Sequence, residues 1–219
     1  MKTLYKIAAV VVVAIVAFAV SFIIFRSSFS LRNWYISADN TAKLTFLYST
    51  DKTVTAKLLR LDNRVVDNLV LSPSDNMAAF QLAPAQMDPP AGVYIMNVEW
   101  LGRKIYEKYF EFTGPNLRSD NVPSISWGKD NENKSIIDNM SLTLTNAGDL
   151  PAYIRRFRGF IDGPQIWEEN VGVWLNTGEK TFTWSWKSPG IQSGIHNFII
   201  TVENMDGILT FKNLYSNVP

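Results

Sequence analysis

The stretch Thr181-Phe182-Thr183-Trp184-Ser185-Trp186 alternates strictly between hydroxyl-bearing and aromatic residues. Successive side chains of a β-strand point to opposite faces, so the three aromatic rings share one face and the three hydroxyl groups share the other. The stretch therefore predicts a half-buried strand of an antiparallel sheet.

Similar short stretches recur along the chain at about 8–12 residue spacing, with turn residues between them. This spacing, without any amphipathic helical stretch, is typical of antiparallel β-sandwiches. In the first half, the predicted strands are residues 43–48, 54–61, 64–71, 77–82, 92–100 and 103–112. In the second half, they are residues 124–127, 139–146, 152–161, 171–175, 180–186, 196–203 and 208–214.

The two halves resemble each other near their ends, where a strand leads to a glycine turn (Gly102, Gly207) and a final aromatic-bearing strand. This similarity suggests a repeated module. Gly114, Pro115 and Pro123 stiffen a short linker between the halves. We therefore predict an anchor over residues 1–30, a membrane-proximal sandwich over 31–114 and a distal sandwich over 115–219.

Residues 7–25 are apolar except for Ser21 and contain no charge, Pro or Gly. At about 1.5 Å per residue, a helix of this length covers roughly 28 Å, close to the hydrocarbon core of a bilayer. We predict a single-pass transmembrane helix that occupies the membrane with residues 4–25 and holds the carboxyl-terminal body outside the cytoplasm. Any disordered stalk is expected within a few residues near 26–32.

A secretory signal peptide is the main alternative to the anchor. Ala17-Phe18-Ala19 has a suitable small-x-small pattern, but cleavage there would leave an apolar amino terminus. The run also exceeds the usual apolar stretch of about 7–15 residues. A buried soluble helix fits poorly, because the run has no polar face.

The residue inventory excludes several kinds of chemistry. With no Cys and one His, the chain has no thiolate zinc, blue-copper or multi-histidine site. Residues 130–133 (Asp-Asn-Glu-Asn) lack calcium-loop spacing and read as a solvated turn. The near-balance of charge argues against a nucleic-acid partner. Without a nucleophile elbow or a phosphate loop, we expect neither enzyme activity nor a cofactor.

Gly92 and Tyr94 form a Gly-x-Tyr pattern at the start of a penultimate strand. The pattern is similar to the tyrosine corner of immunoglobulin-like and fibronectin-type modules. In the second half His196 takes the place of the tyrosine, and we expect it to make the corner hydrogen bond. The resemblance implies an all-β fold of two tandem antiparallel immunoglobulin-like β-sandwiches.

The second half also resembles the CARDB-like modules of archaeal and bacterial surface proteins, over about 80 residues. In that family a strand ends in Asn-x-Gly, a Gly-Glu turn precedes an alternating strand, and Gly-x-His or Gly-x-Tyr opens the next strand. An amino-terminal helix that carries sandwiches is similar to archaellum stator proteins and other archaeal cell-envelope proteins, although two sandwiches depart from the stator pattern. The matching residues are 142–152, 175–181 and 194–196.

Arg155, Arg156 and Arg158 form the densest basic cluster, and on a strand Arg156 and Arg158 share a face. One interpretation is a charged edge strand that discourages unwanted pairing. The other is a contact with an acidic partner or with lipid headgroups. Trp167 and Trp174 lie in a less regular region of the pattern and are therefore candidates for an exposed partner contact, including a glycan.

Two sequons place candidate glycosylation sites at Asn133 and Asn139. With the anchor and the sandwiches, they favour a membrane-anchored extracytoplasmic protein. We expect it to dock an envelope layer, an appendage or a membrane complex through its β-sandwich surfaces. The alternatives are a pilus-like filament subunit with the helix in the fibre core and a surface carbohydrate-binding module.

Overall fold

The computed structural model describes Ile15 and residues 28–119, 123–185, 187–205 and 207–218, without the side chains of 209–217. The predicted membrane span lies outside these residues except for Ile15. Within the described part of the chain, no helix has the length and hydropathy needed to cross a bilayer.

The first half contains seven strands: β1 (Phe29–Ala38), β2 (Ala42–Thr50), β3 (Val54–Arg60), β4 (Val65–Leu71), β5 (Met77–Gln81), β6 (Gly92–Trp100) and β7 (Arg103–Phe112). They form two antiparallel sheets, with strand orders β1-β2-β5 and β4-β3-β6-β7. Alternate residues of facing strands, such as Leu44, Phe46 and Met96, are fully buried in one hydrophobic cluster. The two sheets therefore pack as a sandwich.

The second half contains β8 (Leu117–Arg118), β9 (Ser124–Lys129), β10 (Ser135–Asn146), β11 (Ala152–Ile161), β12 (Gln165–Leu175), β13 (Gly178–Ser185), β14 (Gly194–Asn204) and β15 (Gly207–Val218). Strands β13, β10, β8 and β9 form one sheet, and the other has the order β12-β11-β14-β15. On β13, Phe182 and Trp184 are buried while Thr181 and Thr183 are exposed. The all-β prediction is confirmed, and so is the alternation over residues 181–185, while Trp186 lies outside the described residues.

The two halves share one strand order. Strands β10, β11, β12, β13, β14 and β15 repeat the pairing of β2, β3, β4, β5, β6 and β7, and β8 and β9 together take the place of β1. The second half encloses its own hydrophobic cluster, which includes Leu142, Phe157 and Val202. The repetition suggested by the sequence is thus present in the topology.

Strand β1 was not predicted, and it begins at Phe29, inside the range given to the anchor. Its register shifts between Leu31 and Asn33, so the period-two pattern breaks at Arg32. It also lies at the edge of its sheet, and half of its residues are exposed. A bulged, exposed strand lacks the alternating apolar signal from which strands are recognised.

Corner hydrogen bonds occur at the start of β6 and β14. The Tyr94 hydroxyl donates to the carbonyl oxygen of Pro90 at 2.7 Å. His196 Nε2 lies 2.9 Å from the carbonyl oxygen of Gln192, also four residues back. The prediction that His196 takes the role of the corner tyrosine is confirmed.

The second corner requires a charged imidazole. His196 Nδ1 lies 2.6 Å from the Asp162 carboxylate, and Nε2 faces the Gln192 carbonyl. Both partners accept only, so both hydrogen bonds form only when both ring nitrogens carry a proton. The bond to Asp162 raises the pKa of His196. The pKa of Asp162 is lowered mainly by the hydrogen bond from the Asn197 amide and, to a smaller extent, by that from His196.

We expect this corner to make the stability of the second sandwich depend on pH. The raised pKa of His196 means that its contribution is complete below about pH 6.5 and is lost as pH rises through its folded pKa. The lowered pKa of Asp162 means that its contribution is lost as pH falls through its own folded pKa. Urea unfolding at pH 6 and pH 8.5 should show lower stability at pH 8.5.

The matched control is His196→Tyr, which gives the second corner the same neutral hydroxyl group that Tyr94 provides in the first. This variant should lose most of the difference in stability between pH 6 and pH 8.5. A difference that persists unchanged in His196→Tyr would assign the pH dependence to other groups.

Candidate functional site

The arginine cluster lies on β11, which pairs with β12 on one side and β14 on the other. The strand is therefore internal to its sheet, and the interpretation of a charged edge strand is wrong. Sequence could not decide this point, because the strands that flank β11 are set by pairing between distant residues.

A bulge explains why adjacent arginines both reach the surface. Opposite β14, Ile154 pairs with Asn204 and Arg156 with the next residue, Glu203, so Arg155 is an extra residue on β11 in that pairing. Opposite β12, Ile154 pairs with Val173 and Arg156 with Asn170, so the extra residue lies on β12. Bulged residues interrupt the strict alternation of a strand. Arg155 is exposed, and Arg156 and Arg158 share a partly exposed face as predicted.

Two glutamates from the neighbouring strands neutralise most of the cluster. Arg156 bonds Glu168 at 2.9 Å and Glu203 at 2.7 Å. Arg158 lies 3.2 Å from each of the same two carboxylates. These contacts raise the pKa of Arg156, mainly through Glu168, and the Arg156 contact lowers the pKa of Glu168. Three guanidinium groups facing two carboxylates leave one net positive charge.

Arg155 is the member of the cluster best placed to meet a partner. Its side chain is more than half exposed, and its Nη1 lies 3.6 Å from Glu203, a longer contact than those of Arg156. With Arg156, Tyr153 and Asn170 it lines a polar groove, to which the loop between β5 and β6 contributes Gln86. The groove thus combines residues from both halves of the chain.

The predicted exposure of Trp167 and Trp174 is wrong. Both lie on β12, which begins at Gln165 instead of after position 170, and each is 9% exposed. Trp167 packs edge-on against Trp184 at 4.8 Å in the second core. Trp174 faces the other way and belongs to the first core, where it contacts Tyr153 at 5.2 Å.

The burial of Trp174 marks an apolar contact between the two sandwiches. Leu150 and Tyr153 join it in the hydrophobic cluster of the first half, and Leu150 is fully buried. Residues of the second half therefore complete the core of the first. We call this contact, with the hydrogen bonds that surround it, the junction.

Polar groups cross the same junction. The Asp149 carboxylate accepts hydrogen bonds from the backbone amides of Thr113 and Gly114 at 2.9–3.0 Å. Asn176 accepts from the Ala38 amide at 2.8 Å and donates to the Ala38 carbonyl at 3.3 Å. These bonds fix the chain where it passes from one sandwich to the next.

The Asn-x-Gly motif organises the junction from within. The Asn146 side chain is fully buried, and its amide group donates to the carbonyl oxygens of Leu150 and Leu175. Its carbonyl oxygen accepts from the amides of Asn116 and Gly148. The sequence singled out this motif by resemblance, but it gave no sign that the motif lies at a contact between sandwiches.

Both sequon asparagines are exposed. Asn133 lies in the turn between β9 and β10 with φ of 63°, and Asn139 lies on β10 with a hydrogen bond from Ser185. Their occupancy remains a prediction. In the Asn133 turn, Asp130 accepts backbone hydrogen bonds from Glu132 and Lys134. Among the described residues, no group of three or more His, Cys, Asp or Glu is arranged to hold a metal ion.

No protein-family model matches the chain, and no curated protein matches it. One similar solved structure is described as "Biofilm associated protein - BSP domain", with TM-score 0.29, 11% identity and coverage of 86% of this chain and 30% of that one. Another is a beta-glucuronidase from glycoside hydrolase family 2, with TM-score 0.27, 12% identity and coverage of 87% and 20%. The chain spans less than a third of either structure, and the CARDB-like resemblance remains a prediction.

Proposed function

We propose that the chain is a membrane-anchored structural protein whose two immunoglobulin-like sandwiches form a stiff extracytoplasmic arm that docks a protein partner. The observation that carries this proposal is the junction. A flexible tether between modules would need no shared core, whereas here Leu150 and Trp174 complete the core of the preceding sandwich. A stiff connection transmits position and force from an anchor to a bound partner.

The groove beside the junction supports a docking role. It presents Arg155 together with the polar side chains of Asn170 and Gln86 at the surface. The net positive charge of the arginine cluster favours a partner that offers a carboxylate, because a guanidinium binds carboxylates with paired hydrogen bonds. The two halves jointly form the groove, so a stiff junction would keep its shape.

Burial of Trp167, Trp174 and Trp184 weakens the carbohydrate-binding alternative. A sugar platform needs exposed aromatic faces, while Trp167, Trp174 and Trp184 are all at least nine-tenths buried. The docking of an envelope layer, an appendage or a membrane complex therefore remains the proposed role, with a location outside the cytoplasm.

Site-specific photo-cross-linking in native membranes tests this role. A photoreactive residue at position 155 should capture a protein neighbour, while the same residue at the exposed position 195 should not. The variant Arg155→Glu should reduce capture through a photoreactive residue placed at position 170. Equal capture from positions 155 and 195, or none from either, would contradict docking at the groove. Protease digestion of sealed cells should remove the sandwiches if they lie outside.

A further inference from the structure

One end of the first sandwich lies where the chain arrives from the apolar run. The Ser28 amide donates to Asp51 at 2.9 Å, in the loop after β2. Phe29 pairs with Thr50 and contacts Tyr106 of β7 at 5.0 Å. The hairpin between β6 and β7 turns at this same end, opposite to the junction. We call these loops the proximal end.

The tip of that hairpin has an unusual residue for its geometry. Trp100 pairs with Arg103, which leaves a two-residue turn, Leu101-Gly102, in which both φ angles are positive (49° and 73°). Such turns favour Asn, Asp or Gly at both positions, and a bulky side chain with positive φ is strained. Leu101 is nevertheless 74% exposed, so packing within the sandwich does not compensate for the strain.

Three residues near Leu101 suit a membrane surface. Trp100 is half-buried beside it, and Lys52 lies with its Nζ 4.2 Å from the Trp100 ring centre. Arg103 follows the turn and is exposed. Tryptophan favours the interfacial region of a bilayer, and lysine and arginine are attracted to anionic headgroups.

Chain length brings this end close to the bilayer. Three peptide steps separate Phe25, the last residue of the apolar run, from Ser28. Even when extended they span only about 10 Å. The headgroup region on each side of a bilayer is roughly 5–8 Å thick, so the proximal end lies within reach of it.

We propose that the proximal end rests on the bilayer, with Leu101 inserted among the lipid headgroups and Lys52 and Arg103 facing anionic lipid. The contact rests on the proposed anchor, because the anchor brings the end to the membrane. It gives the arm a second point of attachment and fixes its tilt. Insertion also explains why a strained, exposed leucine lies at the tip, because the lipid provides the apolar contact that the sandwich does not provide.

The absence of native cysteine allows a direct test by site-specific labelling. The full chain with Leu101→Cys, carrying an environment-sensitive fluorophore, is reconstituted in vesicles of phosphatidylcholine with about one-third phosphatidylglycerol. Leu61→Cys is the matched control, because Leu61 is 68% exposed in the turn at the opposite end of the same sandwich. Brominated phosphatidylcholine then reports contact with lipid.

We expect brominated lipid to reduce the fluorescence at position 101 at least twofold and to leave position 61 unchanged. Arg103→Cys, at the base of the turn, should show a smaller reduction. Vesicle flotation distinguishes failure of the proposed anchor from failure of the proposed lipid contact. A chain that fails to float would overturn the anchor and this contact together, whereas a floating chain with no quenching at position 101 would overturn the contact alone. Shielding of position 101 in native membranes but not in pure lipid would assign the tip to a protein and also overturn the proposal.

Discussion

Replacing Trp174 with Ala should lower the free energy of unfolding by about 3–5 kcal/mol, the usual range for a buried tryptophan. It should also let the two sandwiches move relative to each other. Trp174 belongs to β12 of the second half but packs in the core of the first, so its removal leaves a cavity at the junction. Spin labels on cysteines at the exposed positions 70 and 195 would report a broadened distance distribution.

Trp167→Ala is the matched control for this expectation. Trp167 lies on the same strand and has the same 9% exposure, but it packs in the core of the second half. We expect a comparable loss of stability with an unchanged distance distribution between positions 70 and 195. If both variants broaden the distribution equally, Trp174 has no special role in coupling the sandwiches.

Local patterns predicted much of the fold. Strands β6, β7 and β11 begin and end at the predicted residues, because their alternation and flanking turns are regular. The corner role of His196 was also recoverable, since a Gly-x-His pattern encodes a bond to a residue four positions away. Where the pattern lies within one strand or one turn, the sequence is sufficient to predict the local structure.

Non-local pairing explains the wrong predictions. Whether β11 is an edge or an internal strand depends on contacts such as that between Arg156 and Glu203, which are 47 positions apart. The burial of Trp174 depends on a surface contributed by the other half of the chain. The residues next to Arg156 and Trp174 do not indicate which distant strand will pack beside them. Alternation alone therefore gave the wrong environment for both.

Asn146 and Asp149 show how a short motif can serve both a turn and a contact between sandwiches. Asn146 satisfies four backbone groups at the end of β10, and Asp149 holds the amides of Thr113 and Gly114. Asn146 is buried, and a buried polar side chain must find all its partners, so it fixes one geometry. The motif that carries the family resemblance therefore also belongs to the junction, which the proposed arm requires to be stiff.

Gly148→Ala should lower the free energy of unfolding by about 3 kcal/mol, at the upper end of the range for overpacking. A Cβ atom at position 148 would lie 2.1 Å from the Gly114 carbonyl oxygen and 2.6 Å from the Asn116 nitrogen. Both are backbone atoms and cannot move aside as a flexible side chain can. One methyl group would therefore separate the linker from the loop after β10 and weaken the bonds made by Asn146.

Ala147→Leu tests whether position 148 is special or the loop is simply sensitive to added volume. Ala147 is exposed, and its amide bond to the Asn116 carbonyl does not involve its side chain. Three added carbons at position 147 should change the urea midpoint little, while one added carbon at 148 should lower it strongly. Because Gly148 contacts the linker, its variant should also broaden the distances between positions 70 and 195. An unchanged midpoint for Gly148→Ala would mean that the linker can shift without cost, and the arm would then be flexible at its centre.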